Sequence, residues 1–238
     1  MPTSFRISST FASGSAPAST WPSIISKARP CVSDQRKSAA FGTSPGRHPR
    51  RRVRHLALRN PHAGLKVFEV DHPATQSWKQ RRLSEIGVTQ NLPTFVPVDF
   101  EQEDLGTRLV DCGLELETPS FFIWLGVVPY LTEPSVFALL RFVAGLPSSS
   151  IVFDYSEPLE NYPPERRARA AEMGSRTAAA GEPWLTHFDP KQLADRLLSL
   201  GFRYLEDIGP TEMAKRFFGL PADAPDRGAG PHVAFAGK

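Results

Sequence analysis

Cysteine is scarce in this chain, since only Cys31 and Cys112 occur among its 238 residues. Two cysteines provide neither the spacing of a metal site nor a disulfide framework, so we expect a reduced, cytoplasmic setting. Long apolar runs are also missing, because none approaches the ~20 residues that cross a bilayer. These absences argue against a disulfide-stabilised secreted domain and against a membrane protein. The length suits one α/β domain with or without a tail.

Acidic residues are nearly missing from the first quarter of the chain. Of the 28 Lys and Arg residues, ten lie in residues 1–55, whereas Asp34 is the one acid there among the 25 Asp and Glu residues. The remainder therefore has 18 basic and 24 acidic residues, a net charge of −6. The basic character belongs to the first quarter alone, so whole-chain charge does not indicate nucleic-acid binding.

Residues 1–55 are rich in Ser, Ala, Pro and Arg and show no apolar period. Such a segment cannot bury enough apolar surface to offset the entropy of ordering it, which predicts disorder. Three explanations are open: a disordered basic tail, an organellar transit peptide, or translation outside the native reading frame. We therefore predict a basic segment at 1–55 and a folded domain at 56–238.

From Leu65 onward, apolar strand patterns alternate with helical ones. The predicted strands are 65–70, 94–98, 121–128 (FFIWLGVV), 151–155, 203–208 and 232–236. The predicted helices are 73–86, 101–112, 134–144, 163–180 and 190–200. Repeated βα units with short loops predict an α/β fold, with an open, mostly parallel sheet and helices on both faces. Ligands of such sheets bind beyond the carboxyl ends of the strands.

Carboxylates lie at the ends of two consecutive predicted strands. Glu69 and Asp71 end the strand 65–70, where an acid can accept hydrogen bonds from the ribose hydroxyls of a nucleoside cofactor. Alternatively, Asp71 caps the helix that begins at Pro73. Asp99 could accept from the exocyclic amine of a base, with Phe100 packed nearby, or it too could cap a helix. Neither pattern is specific by itself.

A series of longer motifs is more specific. The motifs are VFEVDHPATQSWKQRRL, VPVDF, PSFFIWLGVVPYLT, IVFDYSEP and, near residues 181–202, GEPWLTHFDPKQLADRLLSLGF. Together they resemble the leucine carboxyl methyltransferase family and its bacterial relatives, from about Leu56 to Ala236. The resemblance implies a Rossmann-like class I methyltransferase that uses S-adenosyl-L-methionine. It places Asp71 at the cofactor's ribose and Asp99 with Phe100 at the adenine, and Glu69 is the fourth candidate cofactor residue.

No catalytic residue is assigned from the sequence. Methyl transfer from a sulfonium needs mainly in-line alignment, and a carboxylate acceptor is already nucleophilic. His72, His187 and Asp154 lie in suitable loops, but single residues at such places are more often structural. The expected acceptor is a small molecule or a peptide carboxylate. We further expect a monomer that binds neither nucleic acid, nor membrane, nor metal.

The family's first strand and its glycine-rich turn are missing before Leu56. Residues 46–55 read GRHPRRRVRH, which cannot supply glycines whose backbone amides approach the cofactor. With a compatible choice of codons, a one-base shift converts these residues into AVILGAGFDT, which has the family's pattern. We therefore favour an out-of-frame segment and expect a sheet whose first strand is lost or scrambled. Two rival functions stay open: a cofactor-binding-deficient, non-catalytic product of a frameshifted gene, and a nicotinamide-dependent oxidoreductase.

Overall fold

The structure, a computed structural model, describes the backbone of residues 9–13 and all of residues 65–238. The strands are β1 Ser9–Ser13, β2 Lys66–Asp71, β3 Thr94–Pro97, β4 Ser120–Trp124, β5 Ser150–Ser156, β6 Tyr204–Ile208 and β7 Pro231–Gly237. The α-helices are α1 Pro73–Glu85, α2 Leu105–Asp111, α3 Glu133–Gly145, α4 Pro164–Ala179, α5 Pro190–Ser199 and α6 Pro210–Phe218. Short 3₁₀ turns occupy Val128–Tyr130 and Leu159–Asn161.

All these strands form one sheet in the order β3-β2-β1-β4-β5-β7-β6. β2 and β3 are parallel, as are β4 and β5, whereas β7 is antiparallel to both of its neighbours. β1 is antiparallel to β2 and to β4, so these two strands point in the same direction. The carboxyl ends of β2, β3, β4 and β5 therefore lie along one edge of the sheet. The predicted α/β, Rossmann-like class of fold is confirmed.

The central position of the sheet is occupied by β1, which comes from the segment that the composition predicted to be disordered. Ser9 lies opposite Val70, and Thr10 lies opposite Ile123. An antiparallel strand thus fills the place where we expected the family's first strand to be lost, and it hydrogen-bonds to both neighbours. For these five residues the structure differs from the predicted disorder. Residues 1–8 and 14–64 lie outside the described residues, and they include 46–55, which the sequence analysis interpreted as a scrambled glycine motif.

Helices cover both faces of the sheet. Phe68 and Val70 of β2 belong to the main core, which also includes Leu109 of α2 and Leu140 of α3. Alternate residues of a strand point to opposite faces, and Glu69 accordingly contacts Lys79 of α1. α1 therefore packs on one face of the sheet, and α2 and α3 pack on the other. No helix within residues 65–238 is both long and apolar enough to cross a membrane.

Most predicted elements are present, with clear differences in the limits of β4 and α2 and one additional helix. The strand predicted at 121–128 ends at Trp124, because Gly126 turns the chain with a φ of +75°. α2 starts at Leu105 rather than at residue 101, since Asp104 caps it by accepting the backbone N–H of Thr107. α6 was not predicted. Pro97, which weakened the prediction of β3, ends a strand at the edge of the sheet, where proline is tolerated.

Candidate functional site

Four segments lie along the carboxyl edge of the sheet, and two of them contain the candidate cofactor residues. They are Glu69–His72, Asp99–Phe100, Gly126–Tyr130 and Asp154–Glu157, which end or follow β2, β3, β4 and β5. Because these strands are parallel, the loops that follow them are neighbours. The backbone N–H of Val98 donates to the carbonyl of Asp71 over 3.0 Å, which fixes the end of β3 beside the end of β2. The structure therefore brings Asp71 and Asp99 to one corner of the sheet.

Asp71 is buried at the last position of β2, with 1% of its surface exposed. Its Oδ1 accepts the backbone N–H of His72 over 2.8 Å. The cap of α1 is His72, whose Nδ1 accepts the N–H of Ala74 over 3.3 Å. The alternative role considered for Asp71, that of capping α1, is therefore taken by its neighbour. A buried carboxylate at a strand end that is not used as a helix cap is compatible with the predicted ribose contact.

Glu69 lies on the face of β2 that α1 covers. Its carboxylate forms a buried ion pair with Lys79, and its carbonyl accepts from Nε2 of Gln76 over 2.8 Å. This pairing attaches α1 to β2. It gives Glu69 a structural role, while its predicted contact with the cofactor stays a prediction.

Asp99 organises the turn that follows β3. Its carboxylate accepts the backbone N–H of Glu101 over 3.0 Å and Nε2 of Gln102 over 2.8 Å. Asp99 therefore caps a turn and not a helix, because α2 is capped by Asp104. Phe100 packs against the core, with its ring centroid 6.3 Å from that of Trp124. An apolar surface thus lies beside the Asp99 carboxylate, as an adenine site requires.

Gly126 and Asp154 join the ends of β4 and β5. The backbone N–H of Gly126 donates to Oδ1 of Asp154 over 2.6 Å. Burial raises the pKa of the Asp154 carboxyl, and the hydrogen bond from Gly126 only partly offsets this effect. The carboxyl edge therefore has one acid that holds its proton more tightly than an exposed aspartate does.

Glu101 is a site residue that the sequence analysis missed. Its Oε1 accepts the backbone N–H of Thr132 over 2.8 Å, and its Oε2 accepts the hydroxyls of Thr132 and Ser135 over 2.8 Å and 3.0 Å. These bonds connect the loop after β3 to the start of α3. The signal available in the sequence was an acid within two residues of Asp99 and a Thr-x-x-Ser segment at a helix start.

Residues 184–188, which lie in the GEPWLTHF motif, cross the ends of β4 and β5. The N–H of Leu185 donates to the carbonyl of Pro129 over 2.7 Å, and the N–H of Phe188 donates to the carbonyl of Ser156 over 3.0 Å. The hydroxyl of Thr186 donates to the carbonyl of Leu131. Burial lowers the pKa of His187, so its imidazole is neutral at pH 7. These residues form the wall of the carboxyl edge on the side away from Asp71.

Comparison with known proteins shows which kind of protein this chain resembles. Residues 54–144 match the model of the family "Leucine carboxyl methyltransferase". The chain is 35% identical over 170 residues to "Putative S-adenosyl-L-methionine-dependent methyltransferase YktD" of Bacillus subtilis (strain 168). This alignment covers 69% of this chain and 54% of that protein. A protein of the same description from Mycobacterium sp. (strain MCS) is 32% identical over 72 residues, or 30% of each chain. The resemblance that the motifs predicted is confirmed.

The extent of these matches bears on the N-terminal segment and on the rival functions. The family match begins at residue 54, close to Leu56, where the motif resemblance begins. The chain spans about half the length of the Bacillus relative and less of the mycobacterial one. The matches favour methyl transfer over a nicotinamide-dependent oxidoreductase, and they do not favour a non-catalytic product. Within residues 65–238 no group of three or more His, Cys, Asp or Glu residues is arranged so that it could hold a metal ion.

Proposed function

We propose that this protein transfers a methyl group from S-adenosyl-L-methionine to an oxygen atom of a carboxylate or hydroxyl acceptor. The observation that supports the proposal most is the pairing of Asp71 and Asp99 at adjacent carboxyl ends of β2 and β3. Both residues lie within the segment that matches the leucine carboxyl methyltransferase model. The proposed acceptor is a small molecule or a peptide carboxylate.

The residues at this corner fit the adenosine part of the cofactor. In the proposal, the Asp71 carboxylate accepts hydrogen bonds from the ribose hydroxyls, and Asp99 accepts from the adenine amine. The half-buried ring of Phe100 supplies an apolar surface for the base, and the fully buried Trp124 supports that ring from the core. The buried indole N–H of Trp124 has no hydrogen-bond acceptor among the described residues.

The proposed chemistry needs alignment more than proton transfer. The cofactor, when bound, supplies an electrophilic methyl group on a sulfonium, and an acceptor oxygen displaces the sulfur in line. A carboxylate acceptor attacks without a base. The wall formed by residues 184–188 and the loops after β4 and β5 would orient the acceptor. Asp154 lies on the same side, and with its raised pKa it could receive a proton from a hydroxyl acceptor.

Titration calorimetry with S-adenosyl-L-methionine tests the cofactor site. The protein is the full chain in which residues 46–55 are replaced by AVILGAGFDT, called the restored chain below. Asp71→Asn and Asp99→Asn should each weaken binding by about 1.5–3 kcal/mol, roughly 10- to 150-fold in Kd, because a charge-assisted hydrogen bond is lost. Asp104→Asn is the matched control, since this exposed acid caps α2. Unchanged affinity for both strand-end variants would remove Asp71 and Asp99 from the site.

The kind of acceptor oxygen is tested by the stability of the product to base. A cell extract is incubated with the restored chain and methyl-labelled S-adenosyl-L-methionine. Methyl esters of carboxylates release labelled methanol in mild alkali, whereas methyl ethers of hydroxyl groups do not. Release of the label as methanol supports a carboxylate acceptor. Label that survives alkali and that mass spectrometry places on an oxygen supports a hydroxyl, whereas label on nitrogen, sulfur or carbon contradicts the proposal.

A further inference from the structure

His232 lies between two carboxylates at the carboxyl edge, beyond the residues used above. Its Nδ1 is 2.9 Å from Oδ1 of Asp207, and its Nε2 is 3.0 Å from Oε1 of Glu157. His232 and Glu157 are both buried, with 8% and 9% of their surfaces exposed. The ring of His232 stacks on Tyr155, with centroids 5.0 Å apart. This histidine therefore connects the first turn after β5 with β6 and β7.

The contact with Glu157 is part of a larger set of bonds that fixes the loop after β5. Oε1 of Glu157 also accepts the N–H of Gly230 over 3.0 Å, and the N–H of Glu157 donates to the carbonyl of Gly230 over 3.1 Å. Its Oε2 accepts weakly from Asn161, in the 3₁₀ turn that follows. One residue earlier, Ser156 accepts the N–H of Phe188. The loop held by His232 thus supports the wall formed by residues 184–188.

With both carboxylates ionised, this geometry requires a doubly protonated imidazole. A neutral imidazole has one N–H donor, and an ionised carboxylate can only accept. With both ring nitrogens about 3 Å from carboxylate oxygens, one contact would become repulsive if the ring lost a proton. Burial opposes the charged ring, but the hydrogen bonds and charges of Asp207 and Glu157 outweigh it, and the pKa of His232 is raised above its ordinary value.

The other groups around His232 leave this conclusion unchanged. Tyr155 presents its ring, and its hydroxyl donates to Asp207. The start of α6 approaches the imidazole through the backbone of Gly209, which has no charge. Arg166 of α4 lies beside Gly230 and donates to the carbonyl of Arg227 over 2.5 Å. The charged groups in hydrogen-bond contact with the ring are therefore the two acids.

We propose that His232, as an imidazolium, is a positioning residue that clamps the loop Ser156–Tyr162 against β6 and β7 and so fixes the acceptor-side wall. The assignment of this wall to the acceptor rests on the proposed function, whereas the clamp itself does not. When the ring is protonated, it donates hydrogen bonds to both Asp207 and Glu157. When the ring is neutral, one of these two hydrogen bonds is lost and the loop is held less firmly. The positioning of the acceptor is therefore proton-dependent, even though His232 itself touches no reacting atom.

The direction of the pH effect follows from the raised pKa. In the unfolded chain a histidine titrates near pH 6.5, and in the folded chain His232 titrates higher. The stabilisation is therefore fully present below about pH 6.5 and is lost as the pH rises through the folded-state pKa. Each unit of separation between the two values corresponds to about a tenfold change in the folding equilibrium.

The test measures the clamp directly in the full chain. Histidine NMR should show a ring signal that titrates above pH 6.5, and His232→Asn should remove that signal. Amide exchange of residues 157–162 should accelerate between pH 6.5 and 9 beyond the ordinary base catalysis of exchange. This extra acceleration should be absent in His232→Asn. Glu157→Gln removes one of the two charges and should lower the titration midpoint, which provides a second readout if His232→Asn is poorly folded.

His72→Asn is the matched control, because it removes an exposed histidine and leaves a residue that can still cap α1. This variant should keep the titration of His232 and the pH-dependent exchange. A His232 that titrates at or below pH 6.5 overturns the proposal, as does a His232→Asn protein with unchanged pH-dependent exchange. Because none of these measurements uses the cofactor, failure of the clamp is distinguishable from failure of methyl transfer.

Discussion

The buried ion pair between Glu69 and Lys79 allows a quantitative prediction about stability. The side chains are 3% and 7% exposed, so neither charge is screened by water. Lys79→Met keeps the apolar stem of the side chain but leaves the Glu69 carboxylate buried without its cation. Removing one partner of a buried ion pair lowers the free energy of unfolding by about 3–5 kcal/mol. Against a typical total stability of about 5–15 kcal/mol, this is a large loss.

The chain provides its own control in an exposed ion pair that includes Lys66, the first residue of β2. Lys66 and Glu115 are 59% and 64% exposed, so Lys66→Met should cost no more than about 1 kcal/mol. The double variant Glu69→Gln with Lys79→Met should recover much of the loss, since no unpaired charge is then buried. Urea denaturation followed by circular dichroism measures all of these values. If Lys79→Met and Lys66→Met lower the free energy of unfolding equally, the reasoning is refuted.

The same variants examine the predicted cofactor contact of Glu69. If Glu69 serves only to attach α1, Glu69→Gln should lower the free energy of unfolding of the restored chain and leave the Kd for S-adenosyl-L-methionine unchanged. A change in Kd of tenfold or more, with little change in stability, would assign Glu69 to the cofactor instead.

Two further predictions concern Asp154 and the glycine motif. The pKa of Asp154 is raised, so its contribution to stability is largest at low pH and declines as the pH rises from about 4 through the folded-state value. Asp154→Asn should abolish this part of the decline when urea denaturation is compared at pH 4 and pH 7, and an unchanged pH profile would contradict the assignment. The restored chain should show a larger thermal shift with S-adenosyl-L-methionine than the chain with GRHPRRRVRH at 46–55, because its glycines admit backbone amides to the cofactor. Equal shifts would refute the frameshift interpretation.

The alternation of strands and helices was predictable because each element has a local signal. β4 is apolar over residues 121–124 and β5 over residues 151–153, as buried parallel strands are. Proline stands in the first turn of α1, α3, α4 and α5, where its missing N–H has no cost. α6 has the same proline and ends at Gly219 with a left-handed φ of +70°, but its nine residues were too few to show a period.

The contacts within the site were less predictable, because their partners are far apart in the sequence. The positions of Asp71 and Asp99 followed from the rule that ligands bind at strand ends. That rule says nothing about Glu157, which is 75 residues from its partner His232, or about Asp207, which is 25 residues away. Nor did it indicate that Glu69 faces α1, which follows from the alternation of side chains along β2. The antiparallel β1 was not foreseeable, since its sequence lacks an apolar run.

The position of β1 has a consequence for the order in which the sheet can form during synthesis. β1 precedes the other described strands in the chain, yet it pairs with residues 66–70 and 120–123. Until β4 has emerged, neither the centre of the sheet nor the two strands that flank it can be completed. Such non-local pairing is slow, and the inner edges of β2 and β4 stay open meanwhile to other chains. The nascent protein therefore depends on its N-terminal strand to close the sheet before neighbouring polypeptides do.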